Sequence, residues 1–230
     1  SVTGVASTNF EHVEIRFDPS GNITLLSGAM DHGQGHATTF KQVLADALEI
    51  DTDGIEYRYG DTDKVAHGIG TFNARCAVFV SGAVINAAEK IIEKGKIIAA
   101  HLLEAAASDI EYNRGQFSVA GTDHAISLIE VAKTAFQKSK LPLEIEPGLY
   151  EHGEFGMGQG QAPTYPNGVH LAEVEIDPDT GKIELVRYTA VDDAGTILNP
   201  ILFDGQVHGG IVQGAGQILM EDVHYEPETG

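Results

Sequence analysis

Apolar and polar residues alternate with a period of two in two distant stretches of the chain, and a turn containing proline and glycine interrupts each stretch. The first stretch covers residues 12–26 with its turn at residues 18–21, and the second covers residues 171–186 with its turn at residues 177–181. Alternation on both sides of such a turn is typical of paired antiparallel strands. The pattern therefore predicts two β-hairpins.

A third segment, residues 223–230, repeats the outgoing strand and the turn of these hairpins, and the sequence then ends. A strand without its partner leaves an unpaired edge. We therefore expect the chain to be cut from a longer polypeptide, with a frayed natural terminus as the alternative.

Two long stretches between the hairpins have the spacing of helices. Apolar residues recur at i, i+3, i+4 and i+8 from Phe40, which predicts a helix over residues 40–50. A second helix is expected from residue 81 or 82 to about residue 107, with Gly95 as a possible kink.

Two further helices are predicted nearer the end of the chain. Ser127 and Glu130 have the spacing of a capping box, which indicates a helix from residue 128 to about residue 137. The last predicted helix covers residues 209–220. Its inward-facing residues would be Ile211, Val212, Ala215 and Leu219.

Short strands and a long loop complete the predicted organisation. A strand is expected at residues 55–59, and a small hairpin turns at residues 113–115. Residues 142–166 are rich in glycine and proline, which favours a long loop or a crossover between two lobes. The predicted fold class is α+β, with two lobes of mixed sheets and packed helices that divide the chain into residues 1–145 and 146–230.

Composition excludes several classes of function. The formal net charge of the 230 residues is −20, which argues against nucleic-acid or anionic-membrane binding. No apolar stretch approaches the roughly 18 residues of a membrane span. Cys76 is the single cysteine, so neither an intrachain disulfide nor a cysteine-based metal site is expected. We expect a cytoplasmic protein.

The first of three glycine-rich turns is His32-Gly33-Gln34-Gly35-His36, which leads into the predicted helix at Phe40. Glycines let the backbone approach a ligand, and a helix start offers free N–H groups and a positive dipole end. The turn suits a phosphate or a polar heterocycle, with Gln34 and His36 as side-chain partners. A strand-to-helix turn without a ligand is the alternative.

The second turn covers residues 68–76 and the third lies between Asn199 and residue 217. Thr71, Asn73 and Arg75 in the second turn supply a hydroxyl, an amide and a guanidinium, a set that suits pyrophosphate. Gln206 and the glutamines near Gly214 and Gly216 place amides along the last helix. The alternatives are a loop that bonds its own backbone and tight packing of a glycine-rich helix.

Histidines and aspartates form two clusters that could suggest a metal. The residues concerned are Asp31, His32 and His36 in one cluster and Asp61, Asp63 and His67 in the other. Glycines between the histidines disfavour a helical pair of ligands, and no complete zinc or calcium motif is present. We assign no metal ligand, and we interpret Cys76 as a small buried residue.

The order of these turns resembles the molybdenum-binding subunit of the molybdenum hydroxylases, the family of xanthine dehydrogenase, aldehyde oxidase and aerobic carbon monoxide dehydrogenase. The resemblance rests on residues 31–40, 60–63, 68–72, 191–195, 199–200, 205–210 and 213–217. It implies a molybdenum cofactor, as molybdopterin or its cytosine dinucleotide. The cofactor-binding residues would be Gly33, Gln34, Gly35, His36, Thr38, Gly70, Thr71, Phe72, Asn73, Ala74, Arg75, Asn199, Gln206 and Gln213.

The resemblance also implies an activity and partners. The parent enzyme would hydroxylate a carbon centre with oxygen from water and pass electrons to [2Fe–2S] clusters and FAD on partner subunits. The partners would be the remaining part of the molybdenum subunit, an iron–sulfur subunit and an FAD subunit, in a hetero-oligomer.

Three family features are absent from the sequence: the glutamate in a Gly-x-Gly-Glu setting that acts as general base, an earlier Phe-Gly-Gly segment, and the active-site loop that carries a cysteine in the carbon monoxide enzymes. We therefore assign no catalytic residue and expect the isolated chain to be inactive. One alternative function is a non-catalytic interaction or assembly domain that has lost the cofactor. Another is a hydrolase with a His/Asp metal site.

Overall fold

A computed structural model describes residues 10–156 and 164–230 of the chain. The strands are β1 (Phe10–Phe17), β2 (Ile23–Ser27), β3 (Ile55–Tyr59), β4 (Ile110–Asn113), β5 (Gln116–Val119), β6 (Ala125–Ser127), β7 (Tyr150–Gly156), β8 (Asn167–Ile176) and β9 (Ile183–Asp193). The helices are α1 (His36–Ala47), α2 (Cys76–Leu102), α3 (Leu128–Thr134) and α4 (Pro200–Leu219). The α+β class predicted from the sequence is confirmed.

The main sheet has four strands in the order β3-β2-β1-β7. β1 and β2 form the predicted antiparallel hairpin, in a register that pairs Val13 with Ser27 and Phe17 with Ile23. The Asp18 carboxylate closes the turn by accepting hydrogen bonds from the backbone of Ser20 and Asn22. β3 occupies the predicted residues and runs parallel to β2, with α1 as the crossover between them.

Helices α1 and α2 bury their apolar faces with this sheet in one core. The predicted stripe on α1 is buried, because Phe40, Leu44 and Leu48 have no exposed surface. Ile15 and Leu25 face the same core from the sheet. The helix begins at His36, earlier than predicted, since Gly35 adopts a left-handed conformation (φ 85°) that precedes the first turn.

Strand β7 corrects the prediction of a loop over residues 142–166. Gly153 lies where β7 passes under α2, and a Cβ atom built on it would stand 1.9 Å from the Ala83 carbonyl oxygen. This glycine therefore serves close packing of a helix on a strand. β7 pairs with β1, so it joins the sheet formed by residues before 145, whereas residues 157–163 of the predicted loop lie outside the described residues.

Helix α2 begins at Cys76 and not at residue 81 or 82, and it continues through Gly95 to Leu102. Gly82 and Gly95 lie inside the helix, where Cβ atoms would stand 2.4 Å from ring atoms of Phe155 and Phe117 respectively. Both glycines thus admit an aromatic ring against the helix. The sequence pattern is the same for a glycine that starts a helix and one that packs inside it.

Helix α4 likewise begins earlier than predicted, because Asn199 caps it and Pro200 occupies its first turn. None of its residues is buried, so the predicted inward face is not covered within the described part of the chain. Val212 is 69% exposed and Leu219 is 45% exposed. Ile211 and Leu219 line a groove between α4 and β8–β9.

The small elements follow their sequence signals closely. β4, β5 and β6 form a second sheet, and Arg114 and Gly115 both have positive φ in the predicted turn. The capping box is confirmed, since Ser127 Oγ accepts from the Glu130 backbone and Glu130 Oε2 accepts from the Ser127 backbone. Helix α3 ends at Thr134, before the predicted residue 137.

The second predicted hairpin is also confirmed, and β8 and β9 are longer than the alternation suggested. Their register shifts between Glu173 and Val174. Residues 223–225 do not form the predicted strand, and no described strand pairs with them. The predicted turn does form, since the Gly230 backbone donates to the Glu226 carbonyl.

We predict that Gly153→Ala destabilises the fold by at least about 2 kcal/mol, since α2 must move off the sheet to admit the methyl group. Gly209→Ala on α4 is the matched control, because a Cβ there meets nothing within 4 Å. The control substitution should not lower the free energy of unfolding, because alanine is favoured over glycine inside a helix. Chemical denaturation followed by circular dichroism measures both variants, and equal midpoints would contradict the packing role.

Candidate functional site

The three glycine-rich turns meet at one cleft of about 380 Å³. The start of α1, the loop before α2 and the start of α4 form its walls, and the segment between β9 and α4 completes it. The lining residues are Gln34, His36, Thr39, Phe40, Thr71, Phe72, Ala74, Arg75, Cys76, Ala77, Ala194, Thr196, Ile197, Leu198, Asn199, Leu202, Phe203 and Gln206.

The start of α1 is closed by a side chain of the protein, which corrects the expectation of free N–H groups there. Asp31 Oδ1 accepts from the backbone of Gly33 at 2.9 Å and of Gly35 at 3.4 Å, and its Oδ2 accepts from Ala37 at 3.0 Å. Burial alone raises the pKa of Asp31, but these backbone donors outweigh it and lower the pKa overall. The carboxylate thus occupies the position that a ligand anion would take.

Gln34 and His36 extend from this turn into the cleft. The Gln34 amide donates to the Met30 carbonyl at 3.1 Å and lies 3.2 Å from His36 Nδ1. His36 is buried against the Phe40 ring, and this burial lowers its pKa. A neutral imidazole and an amide therefore face the cleft near pH 7.

The loop before α2 is tied to the first turn. Thr71 Oγ1 donates to the Met30 carbonyl at 2.7 Å, and the Gln34 amide donates to the same carbonyl. The first and second glycine-rich turns therefore share one acceptor. Asn73 and Ala74 adopt left-handed conformations with φ of 55° and 49° before the helix begins. Burial raises the pKa of the Cys76 thiol, in agreement with a structural role.

Helix α2 presents its first turn to the cleft without a capping side chain. The first helical hydrogen bonds run from Val78 and Phe79 to the Arg75 carbonyl, so the N–H groups of Cys76 and Ala77 precede them. Both residues line the cleft. This end is therefore the helix start best suited to an anion.

Arg75 lines the cleft, but its guanidinium is turned into the protein. Its side chain has no exposed surface and pairs with Glu11, which is equally buried. The sequence suggested direct contact with pyrophosphate, whereas the structure assigns the charge to a protein carboxylate. Glu11 was missed because it lies on β1, far from Arg75 in the sequence.

The start of α4, which forms the third wall of the cleft, is held in place by hydrogen bonds of the Asn199 amide. Asn199 Oδ1 accepts from the Leu202 backbone at 3.0 Å, and its Nδ2 donates to Gln42 Oε1 on α1 at 2.9 Å. A Cβ atom on Gly35 would stand 2.6 Å from Leu202 Cδ1, so this glycine lets α4 approach α1. Gln206 lies further along α4 and lines the cleft.

The structure thus brings most predicted site residues together and leaves others outside the cleft lining. Those that line it are Gln34, His36, Thr71, Phe72, Ala74, Arg75, Asn199 and Gln206, and those that do not are Gly33, Gly35, Thr38, Gly70, Asn73 and Gln213. Gln213 and Thr38 are exposed.

The segment from Ala194 to Leu198 was missed as a wall of the cleft. Its mostly apolar residues do not indicate a particular ligand, although residues 191–195 were part of the family resemblance. Only its position between β9 and the capped start of α4 brings it to the cleft.

The described residues contain no group of three or more histidine, cysteine, aspartate or glutamate side chains placed to hold a metal ion. Within the same residues, no helix is long and apolar enough to span a membrane.

The comparison with protein families is decisive. All 230 residues match the family described as the molybdopterin cofactor-binding domain. The chain belongs to this family. Its relatives are oxidoreductases of the molybdenum hydroxylase type.

Two relatives illustrate the match. The chain is 37% identical over 226 residues to the nicotine 6-hydroxylase large subunit of Paenarthrobacter nicotinovorans, covering 97% of this chain and 27% of that protein. It is 33% identical over 225 residues to the carbon monoxide dehydrogenase large chain of Hydrogenophaga pseudoflava, covering 95% and 27% respectively.

Solved structures agree with the sequence comparison. The structure of Cu,Mo-CO dehydrogenase matches with a TM-score of 0.84 at 34% identity, covering 94% of this chain and 27% of that one. Quinoline 2-oxidoreductase from Pseudomonas putida 86 matches with a TM-score of 0.82 at 33% identity, covering 95% and 28%. The chain therefore spans little more than a quarter of the length of these relatives.

The cleft residues fit a molybdopterin group. The lining contains neutral amide and hydroxyl groups of the kind that suit the polar edge of a pterin, and the start of α2 suits its phosphate.

We predict that Asp31→Asn lowers the free energy of unfolding by about 1 kcal/mol at pH 7, the value typical of a weakened helix cap. Because the folded pKa of Asp31 lies below its ordinary value of about 3.9, its contribution is complete above that pH and is lost as pH falls through the folded pKa.

The stability difference between Asp31→Asn and the unmodified protein should therefore narrow as the pH falls below about 3.9 in urea titrations. Asp53→Asn, at an exposed position, is the control and should cost little at either pH. A difference that persists unchanged at low pH would rule out the charge of Asp31 as its cause.

Proposed function

We propose that the cleft binds the pterin and phosphate of a molybdenum cofactor, and that the chain is the cofactor-binding segment of a larger molybdenum hydroxylase. The observation that carries this proposal is the convergence of Gln34, Thr71 and Gln206, from three separate turns, on one cleft. Belonging to the molybdopterin-binding family supports the choice of ligand.

Different residues of the cleft would bind different parts of the cofactor. Gln34 and Gln206 supply amides for the heterocycle, and Thr71 lines the same cleft. The first turn of α2, at Cys76 and Ala77, receives the phosphate through its backbone N–H groups. Asp31 already closes α1, so we do not place phosphate there.

When bound, the molybdenum cofactor supplies two-electron oxidation of a substrate carbon with oxygen from water. The residues of this chain orient the cofactor and exclude water from it. We propose no proton transfer by these residues, and we propose that the isolated chain is inactive. We further propose that the cofactor is the cytosine dinucleotide form and that [2Fe–2S] clusters and FAD lie on other subunits. We also propose that the protein is cytoplasmic.

Exposed apolar side chains support partners for the second half of the chain. On the β8–β9 hairpin and α4 they include Val169, Leu171, Val191, Ile201, Val212 and Ile218, each more than 60% exposed. Many exposed large apolar side chains on two neighbouring elements are typical of a surface that a partner covers. We propose that the remaining part of the molybdenum subunit covers it, within a hetero-oligomer that includes iron–sulfur and FAD subunits.

Cofactor content tests the proposal, with two glutamines of the same helix as a matched pair. In the enzyme that contains this chain, Gln206→Ala should weaken cofactor retention about tenfold, the effect of one lost hydrogen bond to a ligand. Gln213→Ala lies outside the cleft lining and should retain the cofactor normally. Molybdenum is measured by mass spectrometry and pterin by the fluorescence of its oxidation products.

Equal loss in both variants would contradict the assignment of the cleft. Absence of molybdenum and pterin from the unmodified enzyme, expressed with its partner subunits, would favour the assembly domain that has lost its ligand.

The isolated 230 residues should show no turnover of aldehydes or purines, because we assign no general base to them. Dye reduction assayed with and without added cofactor measures this. Any turnover that scales with the concentration of the chain would overturn this part of the proposal.

A further inference from the structure

Glu11 on β1 and Arg75 before α2 form a fully buried ion pair beside the cleft. Arg75 Nη1 lies 2.5 Å from Glu11 Oε1, and the side chains of both residues have no exposed surface. Most other ion pairs of the described residues are at least partly exposed on both sides, for example Lys64 with Asp61. A pair buried this completely must be held in place by further contacts.

These contacts join the pair to the loop before α2 and to β1. Arg75 Nη1 also donates to the Gly70 carbonyl at 3.0 Å, and Nη2 donates to the Phe10 carbonyl at 2.5 Å. Glu11 Oε1 accepts from the Ile69 backbone at 3.3 Å. The Arg75 guanidinium and the Glu11 carboxylate therefore each bond the backbone of the same loop, and Glu11 holds that loop against β1.

Aromatic rings enclose the guanidinium. The Arg75 carbon Cζ lies 5.3 Å from the centre of the Phe72 ring and 5.1 Å from that of Phe79. Phe72 is a cleft residue and Phe79 belongs to the core. The cation therefore joins the wall of the cleft to the interior of the fold.

We propose that Glu11 and Arg75 are positioning residues: their ion pair fixes the Ile69–Phe72 loop and the first turn of α2 in the geometry that receives the cofactor. Arg75 acts from behind the cleft wall and does not contact the ligand. This inference rests on the proposed function for its ligand, but the anchoring of the loop stands on contacts within the protein.

Removing one of two paired buried charges is costly. If one partner is neutralised, the other charge stays in the interior without compensation, and the local structure must rearrange to reach water. The nearest segment able to rearrange is the loop, because it is bonded to both partners and its Phe72 side chain is exposed. Thr71 and the start of α2 would move with it.

Two measurements test the pair in the enzyme that contains this chain. Hydrogen exchange, followed by mass spectrometry on protein from cells unable to make molybdopterin, reports the loop without any cofactor. Molybdenum content per polypeptide reports binding in normal cells. Glu11→Gln should speed amide exchange in residues 68–76 about tenfold and reduce molybdenum content by a similar factor.

Glu14→Gln is the matched control, because Glu14 lies on the same strand, has an almost buried side chain and pairs with Arg16 instead. It should leave the exchange of residues 68–76 and the molybdenum content unchanged. Equal effects of the two variants on residues 68–76, or no effect of Glu11→Gln, would overturn the proposal.

A double variant separates positioning from general stability. Glu11→Leu with Arg75→Met replaces both charges by apolar groups, an exchange that often preserves stability. It also removes the bonds to Ile69 and Gly70. We expect the thermal midpoint to recover towards that of the unmodified enzyme, while molybdenum content stays below about half. Recovery of both, or of neither, would contradict a positioning role.

Failure of the proposed function gives a different result. If the unmodified enzyme contains no molybdenum, the ligand assignment fails, whereas the exchange measurement still reports whether Glu11 anchors the loop.

Discussion

The close packing of α2 on β1 and β7 is the constraint on which the cleft depends. Gly153 admits the helix backbone, and Ala83 and Ala87 face the strand without exposed surface. The helix axis is therefore fixed relative to the sheet. Because the helix is continuous over residues Cys76–Leu102, this contact also determines where its first turn lies.

Electrostatics then distinguishes the three helix starts. Asp31 supplies an anion to α1, and Asn199 caps α4, so both ends are satisfied from within the chain. Helix α2 has no capping side chain, and its adjacent arginine is neutralised by Glu11. On the proposed function, the cleft would bind its ligand through oriented neutral dipoles, and the start of α2 would receive the anionic group.

Local signals in the sequence predicted much of this structure. Both hairpins, β3 and the Ser127 capping box depend on neighbouring residues, and all were predicted correctly. The three glycine-rich turns were also identified from the sequence, because each carried glycine and an amide near a helix start, and the structure brings them to one cleft. Spacing along the chain was sufficient for these features.

Features set by distant contacts were not predicted. β7 was predicted as a loop because residues 142–166 are rich in glycine and proline, whereas Gly153 is there to let α2 pack closely on the strand. The role of Arg75 depends on Glu11, a residue on another strand. The start of α4 was misplaced because glycines inside the helix outweighed the Asn199-Pro200 signal.

The most direct measurement is an experimental structure of the complete enzyme with its cofactor bound. We expect the pterin to lie between Gln34 and Gln206, with phosphate oxygens at the backbone N–H groups of Cys76 and Ala77. A cofactor located elsewhere, with this cleft filled by protein side chains, would contradict the account.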